Sequence, residues 1–274
     1  MPRNFRLSLI LPVFLSLGAC AHGGKADFDL ASVPGNPVFE SEEDFAFAII
    51  DGRYKVLSNP WNKGATSGRY RQKIFVKEDR GQHIFGWVWK WRNSTGVATY
   101  PEVLVGHSPW QGEVSPNSGF PFQIGTKRLY VDYDLTTSAS GAYNLAFEFW
   151  TVSGLPVAKD RITSEVMIWV AGEQLGAAGN VVGKVTLGGN TYTIFQNKSH
   201  GDISGANSNK WSIISLVLDG TLFKARLDVS EIIDYLAKNG FLNPSDHVAD
   251  FELGNEVMRG SGMTVVRKFD VQVE

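Results

Sequence analysis

The sequence predicts an all-β fold, a jelly-roll sandwich of two curved antiparallel sheets with one α-helix. Short apolar and aromatic runs of strand length follow one another from about residue 45, and Gly, Asn, Ser and Pro residues separate them. The 29 Gly and 8 Trp residues also suit a turn-rich β structure. No internal repeat or second domain boundary is evident, so we expect one folded domain over residues 45–274.

The predicted strands are rich in the β-branched and aromatic residues that fit a pleated sheet. Turn signals recur between them, as in a sandwich built from many short strands. The runs are Lys73–Val76, Ile84–Trp91, Arg128–Leu135, Tyr143–Thr151, Val166–Ala171, Trp211–Leu218 and Met263–Val273.

One segment has the periodicity of an α-helix. Asp228 can cap its start, with Glu231 three residues further on, and Gly240 follows its end. Its apolar residues recur at the spacing i, i+3, i+4, i+7 and form one stripe: Val229, Ile232, Ile233 and Leu236.

The composition excludes several classes of protein. The chain has 43% hydrophobic residues, which is typical of a globular fold and excludes wholesale disorder. Lys and Arg number 26 against 28 Asp and Glu, a net charge of -2, so we expect no nucleic-acid partner. The single cysteine, Cys20, excludes an internal disulfide.

The N-terminus has the features of an export signal. Arg3 and Arg6 precede an apolar stretch over residues 7–17 that is too short for a comfortable membrane span. Residues 17–20 read Leu-Gly-Ala-Cys and resemble a bacterial lipobox, which predicts a signal peptide over 1–20 and lipidation of Cys20. Ordinary cleavage after Ala21 is the alternative. We therefore expect a cell-envelope lipoprotein, of the outer membrane, or a secreted protein.

Residues 21–44 are rich in Gly, Ala, Pro and Asp and have little periodicity. This composition predicts a flexible tether between the signal and the folded body. A cluster of acidic residues closes the segment: Glu40, Glu42, Glu43 and Asp44.

Three predicted strands share an alternating pattern. Because successive strand residues point to opposite faces, each offers an apolar face to a core and a second face with carboxylates. A single strand Glu is usually solvated and a single strand Trp is usually core, but Glu and Trp together suit a sugar-binding cleft. Trp87, Trp89 and Trp91 also alternate along one face. The carboxylate faces carry Glu148 and Trp150; Glu165, Met167 and Trp169; and Asp250, Glu252 and Glu256.

Two of these segments resemble the catalytic segments of glycoside hydrolase family 12. Residues 164–169 read S-E-V-M-I-W, and residues 253–257 read L-G-N-E-V before the G-S-G of 260–262. The resemblance covers nearly all of residues 50–274; Asn62 and Glu148 stand where the family usually has Gly and Asp. Four further segments agree in the family's order: Asn59–Asn62, Tyr100–Trp110, Ala146–Trp150 and Ile232–Leu236.

The resemblance implies a retaining endo-β-1,4-glucanase with a curved cleft. It implies that Glu165 is the nucleophile and Glu256 the general acid/base, and that Met167 packs beneath the sugar. The substrate would be cellulose, mixed-linkage β-glucan or xyloglucan, and transglycosylation stays open. A non-catalytic cell-surface carbohydrate-binding sandwich is the alternative function. The candidate substrate-binding residues are Asn59, Trp61, Trp89, Trp110 and Trp150.

The implied chemistry sets expectations for three carboxyl groups. A retaining pair lies about 5–5.5 Å apart, so one pKa is raised by the neighbouring charge. We expect hydrogen bonds to keep the pKa of Glu165 low. Glu148 could share a proton with Glu165.

Both steps of this mechanism are acid–base and nucleophilic, so we expect no cofactor. No phosphate-binding loop and no G-x-S-x-G esterase motif is present. We also expect no metal site, because the five histidines lack metal-ligand spacing: His22, His83, His107, His200 and His247.

Overall fold

The computed structural model describes residues 30–274. Within them lie three short 3₁₀ turns, one helix, α1 (Val229–Lys238), and seventeen strands. The strands are β1 (Asn36–Ser41), β2 (Phe47–Ile50), β3 (Tyr54–Leu57), β4 (Arg71–Asp79), β5 (Gln82–Trp91), β6 (Glu102–Ser108), β7 (Gly112–Glu113), β8 (Phe122–Gln123), β9 (Leu129–Val152), β10 (Ile162–Glu173), β11 (Asn180–Leu187), β12 (Asn190–Gly201), β13 (Lys210–Leu218), β14 (Lys224–Asp228), β15 (His247–Val248), β16 (Asp250–Gly254) and β17 (Val257–Val273).

Strand β9 joins two sheets. Residues 129–143 pair with β17, and residues 143–152 pair with β10. The smaller sheet has the order β1-β4-β5-β17-β9-β14, and the larger has the order β2-β3-β6-β16-β9-β10-β13-β12-β11. Every pairing in these two sheets is antiparallel except β10 with β13, which is parallel. The predicted jelly-roll sandwich is confirmed.

The main core lies between the two sheets. Phe147 and Phe149 of β9, Ile168 of β10 and Leu253 of β16 are buried in it. These are the apolar positions that the alternation assigned to the core face. The carboxylate positions of the same strands therefore lie on the opposite face of the larger sheet.

The aromatic stripe of β5 is part of this core. Trp87 and Trp89 have no exposed surface, and Trp91 is 2% exposed. The interpretation of Trp89 as a sugar-binding residue is therefore wrong: β5 belongs to the smaller sheet and turns this face inward. Gly262 on β17 makes room for the indole, since a Cβ there would lie 2.1 Å from Trp89 Cζ2.

Helix α1 forms where it was predicted. The Asp228 side chain accepts a hydrogen bond of 3.1 Å from the Glu231 backbone N–H, as a helix cap does. Gly240 follows the helix with φ +74°, a left-handed conformation that glycine adopts without strain. The four apolar residues of its stripe are buried against the sandwich.

The predicted tether is wrong from residue 30 onward. Residues 36–41 form β1, which pairs with β4 at the edge of the smaller sheet. Val33 is 5% exposed, and the Lys77 ammonium donates to the carbonyls of Leu30 and Val33 at 2.6 and 2.7 Å. The acidic cluster is fixed by ion pairs, because three basic side chains face it: Glu40–Lys73, Glu42–Arg71 and Asp44–Lys63.

The predicted signal peptide, the lipobox and Cys20 lie outside the described residues. Across residues 30–274, no helix is long and apolar enough to cross a membrane.

Candidate active site

A cleft runs across the larger sheet on the face opposite the core. The strand register brings its carboxylates together: Glu148 on β9 lies opposite Glu252 on β16 and, on its other side, opposite Met167 on β10. Glu165 is two residues before Met167 and points to the same face. Glu256 lies in the two-residue connection from β16 to β17, and all three predicted catalytic-site glutamates line the cleft.

Glu165 is held by an indole. Its carboxylate is 8% exposed and accepts a hydrogen bond of 2.8 Å from Trp211 Nε1, on the neighbouring strand β13. Trp211 packs edge-on against Trp150 and Trp110, with ring centroids 5.7 and 6.0 Å apart. No sequence pattern identified Trp211 as a site residue, because β13 is far from β10 along the chain.

Glu256 is held by Asn144 of β9. The Asn144 amide group donates to the Glu256 carboxylate, and the Glu256 backbone N–H donates to Asn144 Oδ1 at 2.9 Å. Asn255 donates to the Asn144 carbonyl at 2.6 Å and accepts from Trp87 Nε1 at 2.7 Å. Strand alternation could have identified Asn144, since it shares a face with Glu148.

Burial controls the charge of this pair. Burial and the charge of Glu256 raise the pKa of Glu165 to about 8, although the Trp211 hydrogen bond opposes them. Burial raises the pKa of Glu256 to about 7, and the Asn144 hydrogen bond opposes this shift. The expected low pKa for Glu165 is therefore wrong in this structure. Because two buried negative charges this close repel each other, at least one of the two carboxyl groups keeps a proton near neutral pH, and that proton belongs to the pair.

Glu148 is a neutral neighbour of the pair. It is 5% exposed, and burial, with the charge of Glu165 next, raises its pKa well above the ordinary value. A protonated carboxyl can donate a hydrogen bond to an ionised one.

Three more carboxyl groups are buried in this part of the larger sheet: Glu102, Glu252 and Asp250. Glu102 was not among the site residues that the sequence predicted. The Asn59 amide group donates to Glu102 at 2.7 Å, and Glu102 and Glu252 hydrogen-bond to each other. Burial raises the pKa of Glu102 to about 7 and the pKa values of Glu252 and Asp250 well above the ordinary range. Burial therefore favours the neutral form of Glu252 and Asp250 strongly, and that of Glu102 less strongly.

The structure brings most of the predicted substrate-binding residues to the cleft. Trp61, Trp110 and Trp150 line it, as does Asn59, whose amide group binds Glu102. Met167 lies on the cleft floor with 1% exposure. Trp110 Nε1 is buried without a hydrogen-bond partner. Among residues 30–274 no group of three or more His, Cys, Asp or Glu residues is placed to hold a metal ion.

Comparison with known proteins assigns this site to a family. The sequence model for glycosyl hydrolase family 12 matches residues 52–274. The chain belongs to glycosyl hydrolase family 12. It is therefore a glycoside hydrolase, and the family resemblance of its segments is confirmed.

Two curated proteins and a solved family 12 structure are similar to the chain over most of its length. Endoglucanase S of Pectobacterium parmentieri is 27% identical over 82% of this chain and 83% of its own. Xyloglucan-specific endo-beta-1,4-glucanase A of Emericella nidulans is 29% identical over 81% of this chain and 86% of its own. A family 12 xyloglucanase from Bacillus licheniformis superposes with a TM-score of 0.77, at 25% identity, over 86% of this chain and 100% of its own.

Proposed function

We propose that the protein is an endo-acting hydrolase of β-1,4-glucan polysaccharides that retains the anomeric configuration. The observation that carries this proposal is the pair of buried glutamates, Glu165 and Glu256, which face one cleft and whose burial favours the protonated form of at least one of them. A retaining glycosidase needs one ionised and one protonated carboxyl group at the same time. The family assignment gives no support to the alternative, a non-catalytic carbohydrate-binding protein.

In the first step Glu165 attacks the anomeric carbon of the glucosyl residue at the cleavage point. Glu256 protonates the glycosidic oxygen, which leaves with its bonding electron pair, and a covalent glycosyl-enzyme forms. In the second step Glu256 takes a proton from water, and the water oxygen displaces Glu165 from the anomeric carbon. If a sugar hydroxyl replaces water, the same step transfers the glycosyl group.

The neighbouring residues orient these two carboxyl groups. Trp211 donates to the ionised form of Glu165 and so stabilises the nucleophile. Asn144 fixes the Glu256 carboxyl from two sides. Glu148 supplies a neutral carboxyl that can share its proton with Glu165, and Met167 forms the floor beneath the sugar ring.

The substrate is a β-glucan, with xyloglucan, cellulose and mixed-linkage β-glucan as the candidates. Similar family members are named as an endoglucanase and as xyloglucan-specific, which supports a β-1,4-glucan backbone. Successive sugar residues would be bound by the indoles of Trp61, Trp110 and Trp150, since indole faces stack on the C–H faces of sugars. Asn59 would bind a sugar through its polar side chain. The proposal includes export of the protein, with a lipid on Cys20 as its only attachment to a membrane.

The test measures new reducing ends. The purified protein is incubated in parallel with xyloglucan, barley β-glucan and carboxymethylcellulose, next to Glu165→Ala and Glu256→Gln. Hydrolysis of at least one polymer is expected, with a loss of about 10²–10⁴-fold when the acid/base is removed. Absence of hydrolysis on every polymer, or equal activity of the Glu165 variant, would overturn the proposal.

A further inference from the structure

The connection between β12 and β13, residues 202–209, is a loop with its own internal hydrogen bonds, which we call the strap. Asp202 organises it by accepting hydrogen bonds from the backbone N–H groups of Ser204 and Asn207, both at 2.8 Å. The Ser204 hydroxyl donates to the same carboxylate at 2.6 Å. These hydrogen bonds outweigh burial and lower the pKa of Asp202, so the loop keeps its charged anchor over the working pH range.

The base of the strap stands on the nucleophile's side of the cleft. Asn207 and Asn209 donate to the carbonyls of Lys159 and Ile162 at 2.9 Å each, at the start of β10. His200 of β12, two residues before the strap, packs against Trp211 with ring centroids 5.6 Å apart. Trp211 is the indole that binds Glu165.

The tip of the strap reaches the opposite wall. Ile203 is 59% exposed, and its Cδ1 lies 3.6 Å from the position that a Cβ on Gly96 would occupy. Gly96 belongs to the connection from β5 to β6. This wall is held next to Glu256, because the Ala98 N–H donates to the Val257 carbonyl at 2.9 Å.

The strap therefore spans from the side of Glu165 to the side of Glu256. Ile203 and Val97, the neighbour of Gly96, both line the cleft that contains the two carboxyl groups. A sugar ring bound between the two carboxyl groups would therefore lie in the cleft that Ile203 lines. The absence of a side chain at Gly96 leaves the space that Ile203 approaches.

We propose that Ile203, whose side chain approaches Gly96, determines specificity by selecting a glucosyl ring without a branch at the cleavage point. The inference rests on the proposed function. A polymer with sugar branches would be cleaved only where a backbone ring lacks one, because a branch at the cleavage point would occupy the space of Ile203. An aliphatic side chain provides a contact for the C–H face of the unbranched ring.

Two variants of opposite effect test the proposal. Ile203→Ala removes the side chain that approaches Gly96, whereas Gly96→Ala adds a methyl group at ordinary van der Waals distance from Ile203. Val181→Ala is the control, since Val181 on β11 is 62% exposed and does not line the cleft. The measurements are kcat/KM on xyloglucan and on unbranched barley β-glucan, and the masses of the oligosaccharides released from xyloglucan.

For Ile203→Ala we expect the ratio of xyloglucan to β-glucan kcat/KM to rise roughly tenfold, the size of effect that small apolar contacts have on discrimination. New products that end in a branched glucosyl residue should appear. Gly96→Ala should lower the ratio, and Val181→Ala should leave it unchanged. The inference alone would be overturned if the wild type is active but both cleft variants have its ratio of xyloglucan to β-glucan kcat/KM and release its products. A wild type inactive on both polymers would overturn the proposed function and, with it, the inference.

Discussion

Asn144 binds Glu256 at two points, once through each end of its amide group. The donor end stabilises the ionised form of Glu256 and so opposes the rise of its pKa that burial causes. The acceptor end fixes the backbone of the connection that carries Glu256. One side chain thus controls both the position and the proton affinity of the proposed acid/base.

Replacement of Asn144 by Ala should move the alkaline limb of the pH–rate profile to higher pH. The variant loses the hydrogen bond that favours the ionised carboxylate, so the pKa of Glu256 rises above about 7 and its proton is kept to higher pH. The measurement is kcat/KM against pH on the best polymer. Asn180→Ala, at an exposed position on β11, is the matched control. An alkaline limb that stays in place would contradict the role of Asn144.

Replacement of Glu148 by Gln should move the acid limb to higher pH. Burial and the charge of Glu165 raise the pKa of Glu148, so Glu148 is a neutral carboxyl whose O–H can stabilise the ionised form of Glu165. The amide N–H of Gln is a weaker donor, so the variant should stabilise ionised Glu165 less and the pKa of Glu165 should rise. An unchanged pH–rate profile would show that Glu148 shares no proton with Glu165.

Replacement of Glu252 by Gln should change how stability depends on pH. Burial raises the pKa of Glu252 well above that in the unfolded chain, so the folded state keeps a proton that the unfolded state loses. The wild-type free energy of unfolding should therefore decrease as pH rises above the unfolded value of about 4.3. Thermal unfolding from pH 4 to pH 8 measures this.

The Gln variant should lose part of this decrease and be more stable than the wild type at pH 8. Glu113→Gln, on the exposed strand β7, serves as the control. Equal melting temperatures for wild type and Glu252→Gln at both ends of the pH range would contradict the assignment of a retained proton.

Replacement of Trp89 by Ala should destabilise the fold and leave substrate affinity unchanged. The indole is fully buried between the sheets, and loss of a buried Trp costs about 3–5 kcal/mol. The free energy of unfolding in urea and KM at a temperature where the variant is folded separate the two roles. A variant that is as stable as the wild type but has a raised KM would instead show that Trp89 binds substrate.

Alternation along single strands predicted the cleft well. It placed Glu148, Glu165 and Met167 on one face because side-chain direction in a strand is a local property. It failed for Trp89, since alternation separates two faces but does not say to which sheet a strand belongs. Trp211 depends on the pairing of β13 with β10, which no local pattern contains.

Local sequence patterns also failed to predict structure at the edges of the domain. The composition of residues 30–44 resembles a linker, yet β1 pairs with β4, and backbone hydrogen bonds of an edge strand require no particular side chains. The strap was invisible for a related reason. Its conformation depends on hydrogen bonds to Asp202, and its tip approaches Gly96; neither residue stands out in the sequence.

Strand β9 belongs to both layers of the sandwich, with one half paired to β17 and the other to β10. Asn144 and Glu148 lie in the second half. Because both sheets pair with this one strand, neither sheet can unfold without disrupting the other. The two sheets therefore form one cooperative unit in unfolding. The proposed catalytic groups are consequently tied to global rather than local stability. Any change that weakens the smaller sheet, far from the cleft, would shorten the lifetime of the active enzyme under heat or denaturant.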